Sequence, residues 1–131
     1  MARAAGCLCL NEVDLASCFW KGSTLAVTGT NGKTTVTRFW VHALQSAGMP
    51  AFATGNIGDA VSREVINRSP DREIMVCELS SFQAESLSRF QCETLIWTNF
   101  AEDHLDRYAN MQDYFQAKAH LITRLQQPSL F

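Results

Sequence analysis

Charge of one sign is scarce in this sequence: eleven Lys and Arg stand against thirteen Asp and Glu, a formal net charge of −2. Nucleic-acid binders need cations gathered on one face to displace counterions from phosphates, so this balance argues against such a partner. Long apolar runs are missing too; none approaches the roughly 20 residues of a membrane span, and no membrane association is expected. The segment from Ala2 to Leu10, with Arg3 as its only cation, makes a poor signal peptide, and the expected compartment is the cytoplasm. Seven glycines and three prolines are too few for a low-complexity or collagen-like chain. The five cysteines (Cys7, Cys9, Cys18, Cys77, Cys92) are an odd set without paired metal-ligand spacing. They read as reduced and structural, with Cys77 acting as a small buried hydrophobe inside an apolar run.

What is present is the composition of an ordinary globular domain: 131 residues, 47% hydrophobic and 18% charged, enough for one domain with a real core. Leu25 to Thr28 is a short apolar run stopped by Gly29. Val36, Phe39, Trp40, Ala43, Leu44 and Ala47 then fall at helical spacing over Thr34 to Ala47, with Gly48 and Pro50 as the stop. Ala51 to Thr54 predicts a second strand, Asp59 to Asn67 a helix closed by Ser69, Pro70 and Asp71, and Ile74 to Glu78 a third strand. Thr94 to Thr98 predicts a fourth, and Met111, Tyr114, Phe115, Ala119 and Ile122 mark one face of a last helix ending before Pro128. No internal repeat is visible. Strand, glycine turn and helix in repetition predict an α/β domain with a parallel sheet and flanking helices.

The most informative segment is Val27 to Thr35, Val-Thr-Gly-Thr-Asn-Gly-Lys-Thr-Thr, between a predicted strand and a predicted helix. A glycine turn there lets backbone N–H groups approach phosphate oxygens at a helix N-terminus; Lys33 can reach the β- and γ-phosphates, and the Thr34 hydroxyl can hold Mg²⁺. The general phosphate-loop pattern has four residues between its glycines, whereas Gly29 and Gly32 have two, so the match is to a variant. The competing reading is a glycine turn that merely caps a helix. Glu78 closes the third strand, where a carboxylate can hold a nucleotide-bound Mg²⁺ or can simply be a solvated strand end. After the fourth strand, His104 lies between Asp103 and Asp106, either of which could orient its ring in a metal site; a structural histidine is the alternative. Lys118 stands on or beside the apolar stripe of the last helix. It is either a snorkelling side chain or an amine whose pKa is lowered by desolvation and which can be modified or join a site.

In this order, Val27 to Thr35, Gly55-Asn56-Ile57-Gly58, Glu78-Leu79-Ser80-Ser81-Phe82-Gln83, Asp103-His104-Leu105-Asp106-Arg107-Tyr108 and Lys118 together resemble the central ATP-binding domain of the Mur ligases of bacterial peptidoglycan synthesis. The likeness covers about residues 12 to 125. It implies a P-loop NTPase-like fold in truncated form. Residues 1–23 would be a remnant or linker from an N-terminal domain, 24–131 part of the central domain, and the C-terminal domain would be absent. Gly-Asn-Ile-Gly and Glu-Leu-Ser-Ser-Phe-Gln look most like the branch that joins D-glutamate to UDP-N-acetylmuramoyl-L-alanine.

The resemblance implies that Gly29, Thr30, Asn31, Gly32, Lys33, Thr34 and Thr35 bind the ATP phosphates. Thr34 and Glu78 would hold one Mg²⁺; His104 and a carbamylated Lys118 would hold a second. Asn56, Ser80 and Gln83 would contact the muramoyl substrate, with Lys33, His104 and Lys118 as the catalytic set. The full-length protein would be a cytoplasmic monomer acting on small molecules, and the 131 residues alone would not turn over. Three alternatives stay open: another Mur ligase or a folylpolyglutamate synthase-like enzyme, a nucleotide-binding module without catalysis, and a P-loop kinase or regulatory ATPase. The last would leave His104 and Lys118 without a role.

Overall fold

Four short β-branched and apolar runs form the strands of the computed structural model, which describes residues 8–126. They are β1 (Thr24–Thr28), β2 (Ala51–Gly55), β3 (Ile74–Glu78) and β4 (Thr94–Trp97). All pair in parallel in the order β2-β3-β1-β4. The helices are α1 (Glu12–Ser17), α2 (Lys33–Ser46), α3 (Val61–Asn67), α4 (Ser81–Ala84) and α5 (Met111–Ala119), the last continuing into a 3-10 turn over His120–Arg124. The expected α/β architecture with its parallel sheet is the one observed.

Strand alternation sorts the core into two faces. Leu25 and Val27 of β1 join Val76 of β3 beneath Val36, Trp40, Val41 and Leu44 of α2. Ala26, Phe52, Met75 and Cys77 point to the opposite face and pack with Val13, Ala16, Trp20, Val61, Phe90 and Leu121. Phe39, expected on the buried stripe of α2, is largely exposed, because the stripe that meets the sheet is Val36, Trp40 and Leu44. Phe115 is likewise partly exposed; it stacks on Trp97 at the rim of the sheet.

Within residues 1–23, expected to be a remnant or linker from an N-terminal domain, α1 supplies Val13 and Ala16 to the core, and Trp20 follows it there. Polar contacts fix this helix. Asn11 caps it and also donates to the Gln83 carbonyl and the Ser86 hydroxyl. Glu12 accepts from the Ser62 N–H at the start of α3. Asp14, fully buried, accepts from the N–H groups of Ser88, Arg89 and Phe90 and from the Ser88 hydroxyl. Burial alone would raise its pKa, but these donors outweigh it and hold the carboxyl below its ordinary value.

Cys77 and Cys92 are buried free thiols and Cys9 and Cys18 lie at the surface, whereas Cys7 lies outside the described residues. Burial pushes the Cys92 thiol up to about 12 and the Cys77 thiol further, so neither is a thiolate near neutrality. Among the described residues no helix is long and apolar enough to cross a membrane.

Candidate active site

The chain crosses to one side of β1 after the first strand and to the other after β3, so the switch point of the sheet lies at the C-terminal end of β1, where open parallel sheets collect ligands. There the chain turns through Gly29 into α2. Gly29 has φ 142°, and a Cβ on it would lie 1.9 Å from the Thr98 hydroxyl oxygen, so both conformation and space demand glycine. Gly32 occupies the N-cap of α2 at φ 79° with open space around it, so conformation alone selects it. No side chain caps α2. Its first-turn N–H groups and the positive end of its dipole are left for an anion.

Two amines converge on this loop. Lys33 Nζ folds back to donate to the Gly29 and Thr30 carbonyls at 3.0 and 2.8 Å. Lys118 Nζ, reaching from α5, donates to the same Gly29 carbonyl at 2.8 Å. Lys118 is 1% exposed, which overturns the snorkelling alternative. Burial, reinforced by the charge of Lys33 and opposed by Asp103, lowers its pKa to about 8. Its ammonium lies 4.9 Å from the centroid of the buried Tyr114 ring.

A second cluster meets the loop from β3. The Thr34 hydroxyl donates to Glu78 Oε2 at 2.9 Å, and Asn56 Nδ2 donates to Glu78 Oε1 at 3.1 Å. Glu78 is 1% exposed, and among the described residues no ion pair engages it. A buried carboxylate without a cation, beside a hydroxyl and an anion-binding helix end, fits Mg²⁺, which takes one or two protein oxygens and completes its shell with water and phosphate. No group of three or more His, Cys, Asp or Glu able to hold a metal exists among the described residues, so a site built wholly from such protein ligands is not indicated.

His104 stands apart from both clusters. It adopts φ 56°, with its N–H bonded to Asp103 Oδ1 at 2.8 Å and its ring packed between Phe82 and Tyr114, at centroid distances of 4.9 and 5.7 Å. Its Nε2 lies 3.5 Å from Asp103 Oδ2. Among the described residues no hydrogen bond or ion pair joins His104 to Thr34, Glu78 or Lys118; the Tyr114 ring and the charge of Asp103 are what it and Lys118 share. Ser80 and Gln83 are engaged with each other. The Ser80 N–H donates to Gln83 Oε1 and the Gln83 N–H to Ser80 Oγ, a reciprocal cap on α4.

Sequence reasoning missed Asn99 and Tyr114 as site residues. The Asn99 side chain pairs with both the N–H and the carbonyl of Asn31, and the Tyr114 hydroxyl lies 3.2 Å from Thr30 Oγ1. Neither partner is near in sequence. The Trp-Thr-Asn-Phe that ends β4 carried no recognisable motif beyond its place at a strand end.

Residues 27–131 match the Mur ligase middle domain. The chain belongs to the Mur ligase family. This Mur ligase chain is 41% identical over 122 residues to the UDP-N-acetylmuramoylalanine--D-glutamate ligase of Geotalea daltonii, covering 93% of the chain and 27% of that protein. It is 40% identical over 122 residues to the protein of that name from Desulfatibacillum aliphaticivorans, covering 92% of the chain and 27% of the relative. It is 42% identical over 125 residues to that from Gloeobacter violaceus, with the same two shares. The chain therefore spans about a quarter of the length of the curated relatives it matches. The Mur ligase resemblance and the α/β fold expected from it both hold.

Proposed function

We propose that the protein is an ATP-dependent amide-bond ligase of peptidoglycan synthesis that adds D-glutamate to UDP-N-acetylmuramoyl-L-alanine, and that residues 24–131 supply part of its ATP-binding domain. The observation that carries this reading is the convergence of Lys118 and Lys33 on the Gly29 carbonyl, beside the buried Thr34–Glu78 pair. A plain nucleotide-binding module has no use for a second buried amine brought from another helix. The names of the relatives point to the same substrates.

In this reading the substrate's terminal carboxylate attacks the γ-phosphorus of ATP. A carboxyl O–P bond forms, the bridging O–P bond to ADP breaks, and an acyl phosphate results. The D-glutamate amine then attacks the acyl carbon, a proton leaves the nitrogen, and inorganic phosphate departs. Two anions must be brought together in the first step, so the chain's own contribution is positive potential and alignment. Lys33 would leave the loop carbonyls for the phosphates, and the N–H groups of Gly32 to Thr35 would cradle them, with Gly29, Thr30 and Asn31 shaping the turn. Mg²⁺ held by Thr34 and Glu78 would offset phosphate charge.

His104 and a carbamylated Lys118 are the proposed ligands of a second Mg²⁺. Carbamylation needs an uncharged amine, and burial beside Lys33 enlarges that fraction of Lys118 by lowering its pKa to about 8. The carbamate keeps one N–H for the Gly29 carbonyl and turns a like charge near Lys33 into an opposite one. Asn56, Ser80 and Gln83 are proposed to face the muramoyl substrate, Ser80 and Gln83 by opening their mutual cap. Uridine and D-glutamate contacts fall to parts of the protein beyond these residues, and turnover by the 131 residues alone is not expected. A cytoplasmic monomer suits such small, soluble substrates.

The test is isotopic. With the substrate carboxylate labelled with heavy oxygen, the intact protein should deliver one labelled oxygen into the inorganic phosphate it releases. Unlabelled phosphate would refute the acyl phosphate.

A further inference from the structure

The phosphate loop is two residues shorter between its glycines than the general pattern, yet Asn31 within it is held through both its N–H and its carbonyl. The Asn31 N–H donates to Asn99 Oδ1 at 3.0 Å, and Asn99 Nδ2 donates to the Asn31 carbonyl at 3.0 Å. The two bonds require opposite ends of the same amide, which fixes the orientation of the Asn99 side chain. Its backbone adds a third contact, because the Asn99 carbonyl accepts from the Thr30 N–H at 3.1 Å. The Trp97 indole N–H donates to that carbonyl at 2.9 Å, and the Thr98 hydroxyl donates to the Asn31 carbonyl at 2.7 Å. The shortened loop is therefore shaped from outside, by the residues that follow β4.

We propose that Asn99 is a positioning residue of the ATP site, its side-chain amide holding the backbone N–H and carbonyl of Asn31 so that the short loop stands in its phosphate-binding shape before nucleotide arrives. The inference rests on the ATP-site reading above and adds to it the residue that organises the loop. With its N–H turned to Asn99, the Asn31 backbone is a strut, and the phosphate donors are the first-turn N–H groups of α2. Asn99 needs no contact with ATP for this. Without its amide, the loop in the unliganded protein spreads over several shapes, and the apparent affinity falls by the fraction of time the competent shape is lost.

The experiment measures Mg-ATP binding and steady-state kinetics of the intact protein with Asn99→Ala and Asn99→Asp. Asn99→Ala should weaken Mg-ATP by about tenfold, the equivalent of roughly one net hydrogen bond, raising KM for ATP. The unfolding midpoint, kcat and KM for the other substrates should move little. Asn99→Asp should lose more, since it keeps the acceptor for the Asn31 N–H but sets an oxygen against the Asn31 carbonyl. Wild-type affinity in Asn99→Ala would overturn the proposal, as would a fall in unfolding midpoint and kcat together with an equal rise in every KM. Amide hydrogen exchange of unliganded wild type judges it without any variant: a protected Asn31 N–H supports it, and exchange at the unstructured rate overturns it. Failure of wild type to bind Mg-ATP would sink the ligase reading itself, and the exchange result would still decide the role of Asn99.

Discussion

Replacing Asp14 by Ala should strongly destabilise this domain. Its carboxylate accepts from three backbone N–H groups and one hydroxyl at 2.8 to 3.0 Å, and it is fully buried between α1 and the turn at residues 88–90. Hydrogen bonds to a charged group contribute about 1.5 to 3 kcal/mol each, and a buried N–H left without a partner costs about 1 to 3 kcal/mol. These are not additive, because the three N–H groups share one turn that can relax toward water. A loss of about 3 to 5 kcal/mol is expected, a large part of the roughly 5 to 15 kcal/mol that holds a domain together. Denaturant unfolding monitored by tryptophan fluorescence suits the test, since Trp20 packs edge-on against Phe52 in the same core. The pH dependence follows in sign. The folded carboxyl lies below its ordinary 3.8, so its contribution is complete above that value and is lost as pH falls through the lower folded pKa. Wild type should therefore shed stability below about pH 4, and Asp14→Asn should start lower and shed less. A loss under about 1 kcal/mol for Asp14→Ala would refute the argument that this carboxylate holds α1 in place.

Three further outcomes concern the site. Lys33→Ala in the intact protein should weaken Mg-ATP at least tenfold, by about 1.4 kcal/mol or more, with little change in unfolding midpoint, as read by calorimetric titration. Gly29→Ala should lower both stability and nucleotide affinity, because its Cβ would overlap the Thr98 hydroxyl; a crystal structure or a thermal melt identical to wild type would contradict the geometry. Mass analysis of peptides from protein kept in bicarbonate, after chemical trapping of the carbamate, should find one added CO₂ on Lys118 and none in Lys118→Arg.

Much of the scaffold was legible because its signals are local. The apolar runs ending at Gly29, Gly55 and Glu78 marked β1, β2 and β3, and Gly48 with Pro50 stopped α2. Ile74–Glu78 matches its expected bounds, and the other strands differ by one residue at an end. Helix α1 was not legible, since six residues with two apolar contacts carry no period, and its stability comes from Asn11, Glu12 and Asp14 reaching elements far along the chain. Helix α4 did carry a signal: Ser80 and Gln83 have the spacing of a capping box, which the motif reading absorbed as substrate contacts. At the site, Lys118 looked out of place on its helix, and that oddity was the trace of a buried amine aimed at the loop. Asn99 left no such trace. Its role depends on β4 lying beside β1, and strand order in a parallel sheet is set by tertiary packing rather than by any one segment.

In the proposed function, these residues belong to an enzyme that spends ATP to join two specific small molecules. Phosphate release by the intact protein, measured with ATP, UDP-N-acetylmuramoyl-L-alanine and D-glutamate present together and with each omitted in turn, tests it most directly. Sustained release is expected only when all three are present, and Lys33→Ala should abolish it. Steady ATP hydrolysis without D-glutamate and the nucleotide-sugar acid, or no release with all three, would contradict it.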